Sequence, residues 1–190
     1  AFTFLFFWTG ILFCEAQTPY AVIPVPAEIV PADGVYVLEG QPDIKELRLP
    51  AGKLPAEGYI LEITPDEIVI ESSDQAGAFY ARQTLKQMMR GGKAGELQCC
   101  RITDSPRFPY RGMHFDVSRH FRSIGFLKKQ IDAMACFKMN RMHLHLTDAA
   151  GWRLQIDAYP RLTEFAAWRS YPTWKEWWNG DRSYVEKGTD

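Results

Sequence analysis

The segment from Gly112 to Thr147 constrains this chain more than any other part of it. Met113, Phe115 and Val117 alternate with His114, Asp116 and Ser118, and a side-chain period of two is the mark of a strand. Ser123 then stands ahead of an amphipathic run whose inner face is Ile124, Leu127, Ile131 and Met134, and Asn140 ends it. Alternation returns from Arg141 to Thr147, with Met142, Leu144 and Leu146 set against Arg141, His143, His145 and Thr147. Strand, helix and strand over roughly 30–35 residues make a βαβ unit with parallel strands and a right-handed crossover. Parallel sheets are covered on both faces, so two strands call for more sheet, and the second domain is expected to be incomplete within these residues.

Each strand of this unit carries one apolar row, expected to meet the crossover helix, and one polar row. His114, Asp116, His143 and His145 form the polar row, on the side that an ordinary (β/α)8 barrel fills with bulky branched residues. Polar groups buried there need partners, since each one left unpaired costs roughly 1–3 kcal/mol. A polar lumen suits a polar ligand. Histidine pairs on strands also serve as structural hydrogen-bonders, and the set lacks the third ligand of a zinc site, so no metal is expected. Asp148 follows the second strand at its carboxyl end, where barrels build their sites. It fits a site residue and a turn cap equally, as Trp152 fits a sugar-stacking ring and a core residue. The aromatic run Trp168, Tyr171, Trp174, Trp177 and Trp178 reads as a long loop folded over a barrel.

Upstream the pattern differs. Residues 19–57 hold Pro19, Pro24, Pro26, Pro31, Pro42, Pro50 and Pro55, which confines strands there to short or edge positions, Val35–Glu39 among them. A hairpin follows: Tyr59, Leu61 and Ile63 alternate with Ile60, Glu62 and Thr64, Pro65-Asp66 turns the chain, and Ile68 and Ile70 return. Ser72, Ser73 and Asp74 offer caps for a helix whose buried face is Ala78, Ala81, Leu85 and Met88, closed by Gly91-Gly92. A sheet with a covering helix is an α+β layer. The two-proline connector Asp104–Pro109 divides it from the βαβ unit, giving a domain over 17–105 and the start of another over 106–190.

The net charge of -1 supplies no field to hold nucleic acid. Phe2 to Phe13 is almost wholly apolar yet too short to span a membrane, which takes ~20 residues. With Cys14 and Ala16 ahead of Gln17 it reads as a signal peptide over 1–16, missing its basic start, for export to the periplasm, cell surface or medium. A lipid-anchored Cys14 is the alternative. The remaining cysteines, Cys99, Cys100 and Cys136, form no metal or redox motif and read as small core or surface residues, with no disulfide framework expected.

The runs Tyr110-Arg111-Gly112-Met113, Asp116-Val117-Ser118-Arg119-His120-Phe121, Met139-Asn140-Arg141-Met142-His143-Leu144-His145-Leu146-Thr147-Asp148 and Gly151-Trp152-Arg153 resemble, in order, the start of the catalytic domain of family 20 glycoside hydrolases, the β-N-acetylhexosaminidases. Glu71-Ser72-Ser73, Gly77-Ala78-Phe79-Tyr80 and Gln83-Thr84-Leu85 resemble the helix of the small domain that precedes it. The resemblance spans about residues 20–165. It implies a (β/α)8 TIM barrel after the α+β domain and release of terminal β-linked N-acetylglucosamine or N-acetylgalactosamine without a cofactor. It also implies retaining catalysis by the substrate's own acetamido group, beside an Asp-Glu pair. No Asp-Glu here fits, since Asp66-Glu67 lies in the hairpin turn, so the catalytic pair is expected beyond Asp190 and the segment alone is expected to be inactive.

The resemblance further implies that Arg111 and Asp148 bind the terminal sugar, with His145, Asp116 and His114 in support. Alternation puts Arg111 with the apolar row, so that role needs the strand to begin after it, with a twist or bulge at Gly112. A catalytically silent carbohydrate-binding relative and an unrelated exported α/β module are the other readings.

Overall fold

The structure, a computed structural model, describes residues 20–149, 151–168, 171 and 173–180; the expected leader lies outside them. The first unit is a five-stranded sheet of β1 (Glu28–Val37), β2 (Ile44–Arg48), β3 (Tyr59–Ile63), β4 (Ile68–Ser72) and β5 (Glu96–Asp104), in the order β1-β5-β3-β4-β2. The expected hairpin is β3–β4, antiparallel from Tyr59 opposite Ser72 to Ile63 opposite Ile68. Only β2 and β4 pair in parallel.

Three strands depart from the sequence expectation. β1 starts at Glu28 and ends at Val37, where Val35–Glu39 was expected. It accommodates Pro31 because the pairing with β5 shifts between Pro31 and Val35, and Gly34 there takes φ +99. Neither β2 nor β5 follows from the residue pattern. β2 is an exposed edge with no alternation to betray it, and in β5 the adjacent Cys99 and Cys100 are both buried, which breaks the period.

Helix α1 (Gln75–Gly91) covers one face. Its Ala78, Ala81, Leu85 and Met88 pack with Leu61, Ile63, Ile68, Ile70, Leu97 and Ile102 as one core. Asp74 caps the helix: one carboxylate oxygen accepts from the Gly77 amide at 2.8 Å and the other from the Glu57 amide at 2.7 Å. Gly77 has no room for a side chain, since a Cβ would lie 2.3 Å from the Gly58 carbonyl oxygen. Helix start and loop 57–58 are thus locked together.

The second unit begins with β6 (Gly112–Asp116), then α2 (Ile124–Cys136) capped by Ser123, then β7 (Arg141–His145), and β6 and β7 pair in parallel. Of the expected inner face of α2 only Met134 is buried, while Ile124 and Ile131 are 69% and 50% exposed. Two strands about 5 Å apart cover only part of a helix about 10 Å across. Past β7 the chain does not continue as one strand. Thr147–Asp148 (β8) folds back on Gly151–Trp152 (β9) as an antiparallel ribbon, which the sequence pattern does not foretell. Two short helices follow, α3 (Arg161–Glu164) and α4 (Trp174–Asn179). Among the described residues no helix is long and apolar enough to cross a membrane.

The end of α2 joins the two units. The Lys138 amide donates to Ala135 O and the Met139 amide to Met134 O, a Schellman turn with lysine at the position that favours glycine, at φ 58. The Lys138 ammonium is buried and donates to Asp104 Oδ2 and Tyr59 Oη, each at 2.8 Å, and Tyr59 also bonds Thr84 at 2.7 Å. Burial pulls the lysine pKa down, against the opposing pull of Asp104. Removing one member of such a pair strands the other. Lys138→Met is expected to cost about 3 kcal/mol, more than Lys128→Met on exposed α2 surface, which should change stability by less than about 0.5 kcal/mol. Urea unfolding of the two variants measures the difference, and equal midpoints would show the junction to carry no stability.

Candidate functional site

At the carboxyl ends of β6 and β7 the polar row comes together. Cross-strand pairing sets His114 opposite His143 and Asp116 opposite His145. The rings of His114 and His143 meet edge to face with centroids 4.6 Å apart, and His114 lies 5.9 Å from His145. Asp148, three residues beyond β7, bends back so that its Oδ2 lies 3.0 Å from His145 Nε2. The same ring nitrogen lies 3.3 Å from Arg119 Nη1, so it stands between a carboxylate and a guanidinium.

The residue that closes this group is one that strand alternation does not single out. Arg119 reaches from the loop after β6 to two carboxylates, Nη1 to Asp116 Oδ2 and Nη2 to Asp148 Oδ2, both at 2.7 Å. Asp116 in turn holds that loop, its Oδ1 accepting from the amides of Ser118 and Arg119 at 3.0 Å each. Arg119 therefore bridges the ends of adjacent parallel strands. The signal for it in the sequence is its placement after a strand, in an Asp-x-x-Arg run where the aspartate can turn back on the loop.

Both carboxyl groups sit below the usual range. For Asp116 burial works upward and is outweighed by the Arg119 amide and side chain. For Asp148 the Ala149 amide is the main cause, with the Arg119 charge adding to it. The cluster is thus charged, and it stays open to solvent: the side chains of Arg119, Asp148 and Asp116 are 39%, 33% and 29% exposed. Such a shelf offers a hydroxylated ligand both donors and acceptors. Among the described residues no three His, Cys, Asp or Glu side chains are arranged to hold a metal ion.

Arg111 is not part of this group. It precedes β6, at the amino end of the pair, and there its guanidinium turns to the first unit. Nη2 donates to Glu57 Oε2 at 2.5 Å and to Tyr80 Oη at 3.0 Å, Nη1 to Phe108 O at 2.7 Å and Nε to Lys138 O at 2.7 Å. Asn140 completes the knot, its Oδ1 accepting from the Arg111 amide at 3.0 Å and its Nδ2 donating to Pro109 O at 2.9 Å. A cavity of about 600 Å³ beside this junction is bordered by Val25, Phe108 and Phe137. The strand does begin after Arg111, as the sugar-binding role required, but the side chain is consumed by the junction, at the end of the strands away from Asp148.

Two family profiles match the chain: "Glycosyl hydrolase family 20, domain 2" over residues 36–105 and "Glycosyl hydrolase family 20, catalytic domain" over residues 108–186. The chain is 42% identical over 160 residues to an N,N'-diacetylchitobiase of Vibrio harveyi, covering 82% of this chain and 18% of that protein. It is 37% identical over 161 residues to a beta-hexosaminidase of Akkermansia muciniphila, covering 82% of this chain and 31% of that one. Among solved structures, a β-N-acetylhexosaminidase from Bacteroides fragilis superposes with TM-score 0.71 at 31% identity, over 77% of this chain and 37% of that one. The exo-β-N-acetylglucosaminidase of Vibrio harveyi, solved with N-acetylglucosamine, superposes with TM-score 0.74 at 28% identity, over 90% and 32%. The chain thus spans roughly a fifth to a third of the length of these relatives.

The depressed carboxyl of Asp116 has a testable sign. A group whose folded pKa lies below its unfolded value of about 3.9 stabilises the fold above that pH and loses its contribution as pH falls through the folded value. Asp116→Asn should therefore flatten the dependence of stability on pH below about pH 4 and leave the slope between about pH 5 and 8 as it was. Urea unfolding at stepped pH reads the slope; an acid limb identical to that of the unaltered chain would sink the assignment.

Proposed function

Because the chain belongs to glycosyl hydrolase family 20, we propose that it carries part of the sugar-binding pocket of an exo-acting β-N-acetylhexosaminidase. The substrate is a terminal β-linked N-acetylglucosamine or N-acetylgalactosamine. The observation that carries this reading is the ion pair of Arg119 with Asp148, joining the carboxyl ends of two parallel strands. In a (β/α)8 barrel, which we take these strands to open, that end is where substrates bind. A guanidinium already neutralised by two carboxylates suits a neutral polyol. It can donate to one hydroxyl while a carboxylate accepts from the next, with no ligand charge to balance.

Arg119, and not Arg111, is then the arginine that holds the sugar. Arg111 belongs to the junction, where its partners are a fixed carboxylate, a phenol and two carbonyls. Hydrolysis follows the substrate-assisted route, in which the 2-acetamido oxygen of the sugar attacks the anomeric carbon and the configuration is retained, unlike the two-carboxylate scheme. The glutamate that protonates the leaving oxygen and the aspartate that orients the acetamido group lie outside these 190 residues. These residues alone should therefore release no sugar. Export is part of the proposal, supported by the apolar run of residues 2–13.

The protein expressed from the complete gene should release the aryl group from an aryl N-acetyl-β-glucosaminide; folded protein with no release from the gluco or galacto substrate would overturn the enzyme reading. Arg119→Lys should weaken inhibition by N-acetylglucosamine about 10- to 100-fold, as loss of a charge-assisted bidentate contact does. Arg111→Ala should lower the unfolding midpoint and leave that inhibition constant within about threefold. The reverse pattern would return the sugar to Arg111.

A further inference from the structure

The pair Arg119–Asp148 depends on two loops that no sequence-adjacent contact holds together: the loop after β6 and the β8–β9 ribbon after β7. What joins them is Arg153. Its backbone extends the ribbon, the amide donating to Leu146 O at 2.9 Å, and its side chain crosses to the other loop. Nε donates to Val117 O at 3.0 Å, Nη2 to Ser118 O at 3.3 Å and Nη1 to Ala167 O at 2.5 Å. The guanidinium lies over the Phe121 ring, 5.3 Å from its centroid. A second bond runs the other way, Ser118 Oγ donating to Gly151 O at 2.7 Å, with Ser118 fully buried. Gly151 permits the approach, because a Cβ there would lie 2.8 Å from Arg153 Nη2 and 3.0 Å from Ser118 O.

The geometry points to Arg153 as the positioning residue of the sugar pocket. The carbonyls it captures belong to Ala167 and to Val117 and Ser118, the two residues immediately before Arg119, while in the ribbon that its backbone extends Asp148 stands on the partner strand β8, opposite Gly151. With its amide in the ribbon and its side chain on the loop after β6, it sets the distance over which Arg119 meets Asp148. Only a planar guanidinium with several donors spans these three carbonyls, two in the loop after β6 and that of Ala167 after α3; a lysine ammonium reaches fewer and fixes no plane. Arg153 touches neither Arg119 nor Asp148 through the bonds described, so it acts through the loops. This inference rests on the reading of Arg119 as a sugar-binding residue.

The test is a double-mutant cycle in the protein from the complete gene, read as kcat/KM for an aryl N-acetyl-β-glucosaminide. Arg153→Met should lower kcat/KM roughly 30-fold on the unaltered background and less than about threefold on an Arg119→Met background, because the two effects share one route. Arg153→Lys should recover only part of the loss. Equal losses on both backgrounds would show a merely structural residue and overturn the proposal while leaving the hexosaminidase reading intact. A crystal structure of Arg153→Met gives a readout that needs no activity: Arg119 Nη2 should stand more than about 4 Å from Asp148. Retention of the present 2.7 Å would overturn the proposal whether or not the enzyme turns over. If Arg153→Met does not fold, Ser118→Ala, which removes a single bond between the same loops, is carried through both measurements. A loss that vanishes on the Arg119→Met background then supports the proposal, and an equal loss on both overturns it.

Discussion

The structure at the carboxyl ends of β6 and β7 exists only in one register of that pair. With Asp116 opposite His145, the residues three positions further along each strand are Arg119 and Asp148, and they meet. A slip of one residue would turn every side chain of one strand to the other face. A hairpin fixes its register through its turn, but a parallel pair is joined by a long crossover and has no such device. Here the amino ends supply it. Asn140 binds the Arg111 amide through its side chain, and the Arg111 carbonyl accepts the amides of Asn140 and Arg141 at 2.9 and 3.2 Å. The ladder is thereby set at its first rung.

That rung is anchored in turn to the first unit by charge. Glu57 and Lys138 are the non-glycine residues with positive φ among those described, at 60° and 58°. Each such conformation costs a side-chain-bearing residue about 1–2 kcal/mol. Both residues spend it in the same place, since Glu57 meets Arg111 and Lys138 meets Asp104 across the junction. Local backbone preference is overruled where the side chain gains a buried partner. The Asp74 cap contributes from the other side, because its second oxygen holds the Glu57 amide and so fixes the turn that aims the carboxylate. The small unit thus acts on the parallel strands through their amino ends.

How much of this was legible depended on whether periodicity survived. The β3–β4 hairpin and α1 were readable because in each one face is buried and the other is not, and the strand–helix–strand order was readable from the sequence period itself. β5 was hidden even though it is central, for Cys99 and Cys100 are both buried and consecutive buried residues have no period. β2 was hidden for the opposite reason, its residues being nearly all exposed. The expected inner face of α2 misled in a third way. Ile124 and Ile131 carry the right spacing, but the strands beside them are too few to cover them. In the site, alternation grouped His114, Asp116, His143 and His145, and the carboxyl end of the second strand singled out Asp148, whereas neither signal pointed to the arginine.

Arg111 and Arg119 flank the same short strand, so residue type and spacing do not separate them. Strand direction does. A parallel strand has an amino end, where Arg111 lies, and a carboxyl end, where Arg119 lies, and in the barrel we propose only the second would face the loops that build the site. The partners then reflect the two tasks. Arg111 donates to the carbonyls of Phe108 and Lys138, and Arg153 to those of Val117, Ser118 and Ala167. A carbonyl is fixed in the backbone, so an arginine held by several of them becomes part of the frame. Arg119 is instead held by the side chains of Asp116 and Asp148 at the solvent edge. Those carboxylates keep lone pairs for a hydroxyl, and the same network that orients the guanidinium can extend onto a ligand without first being broken.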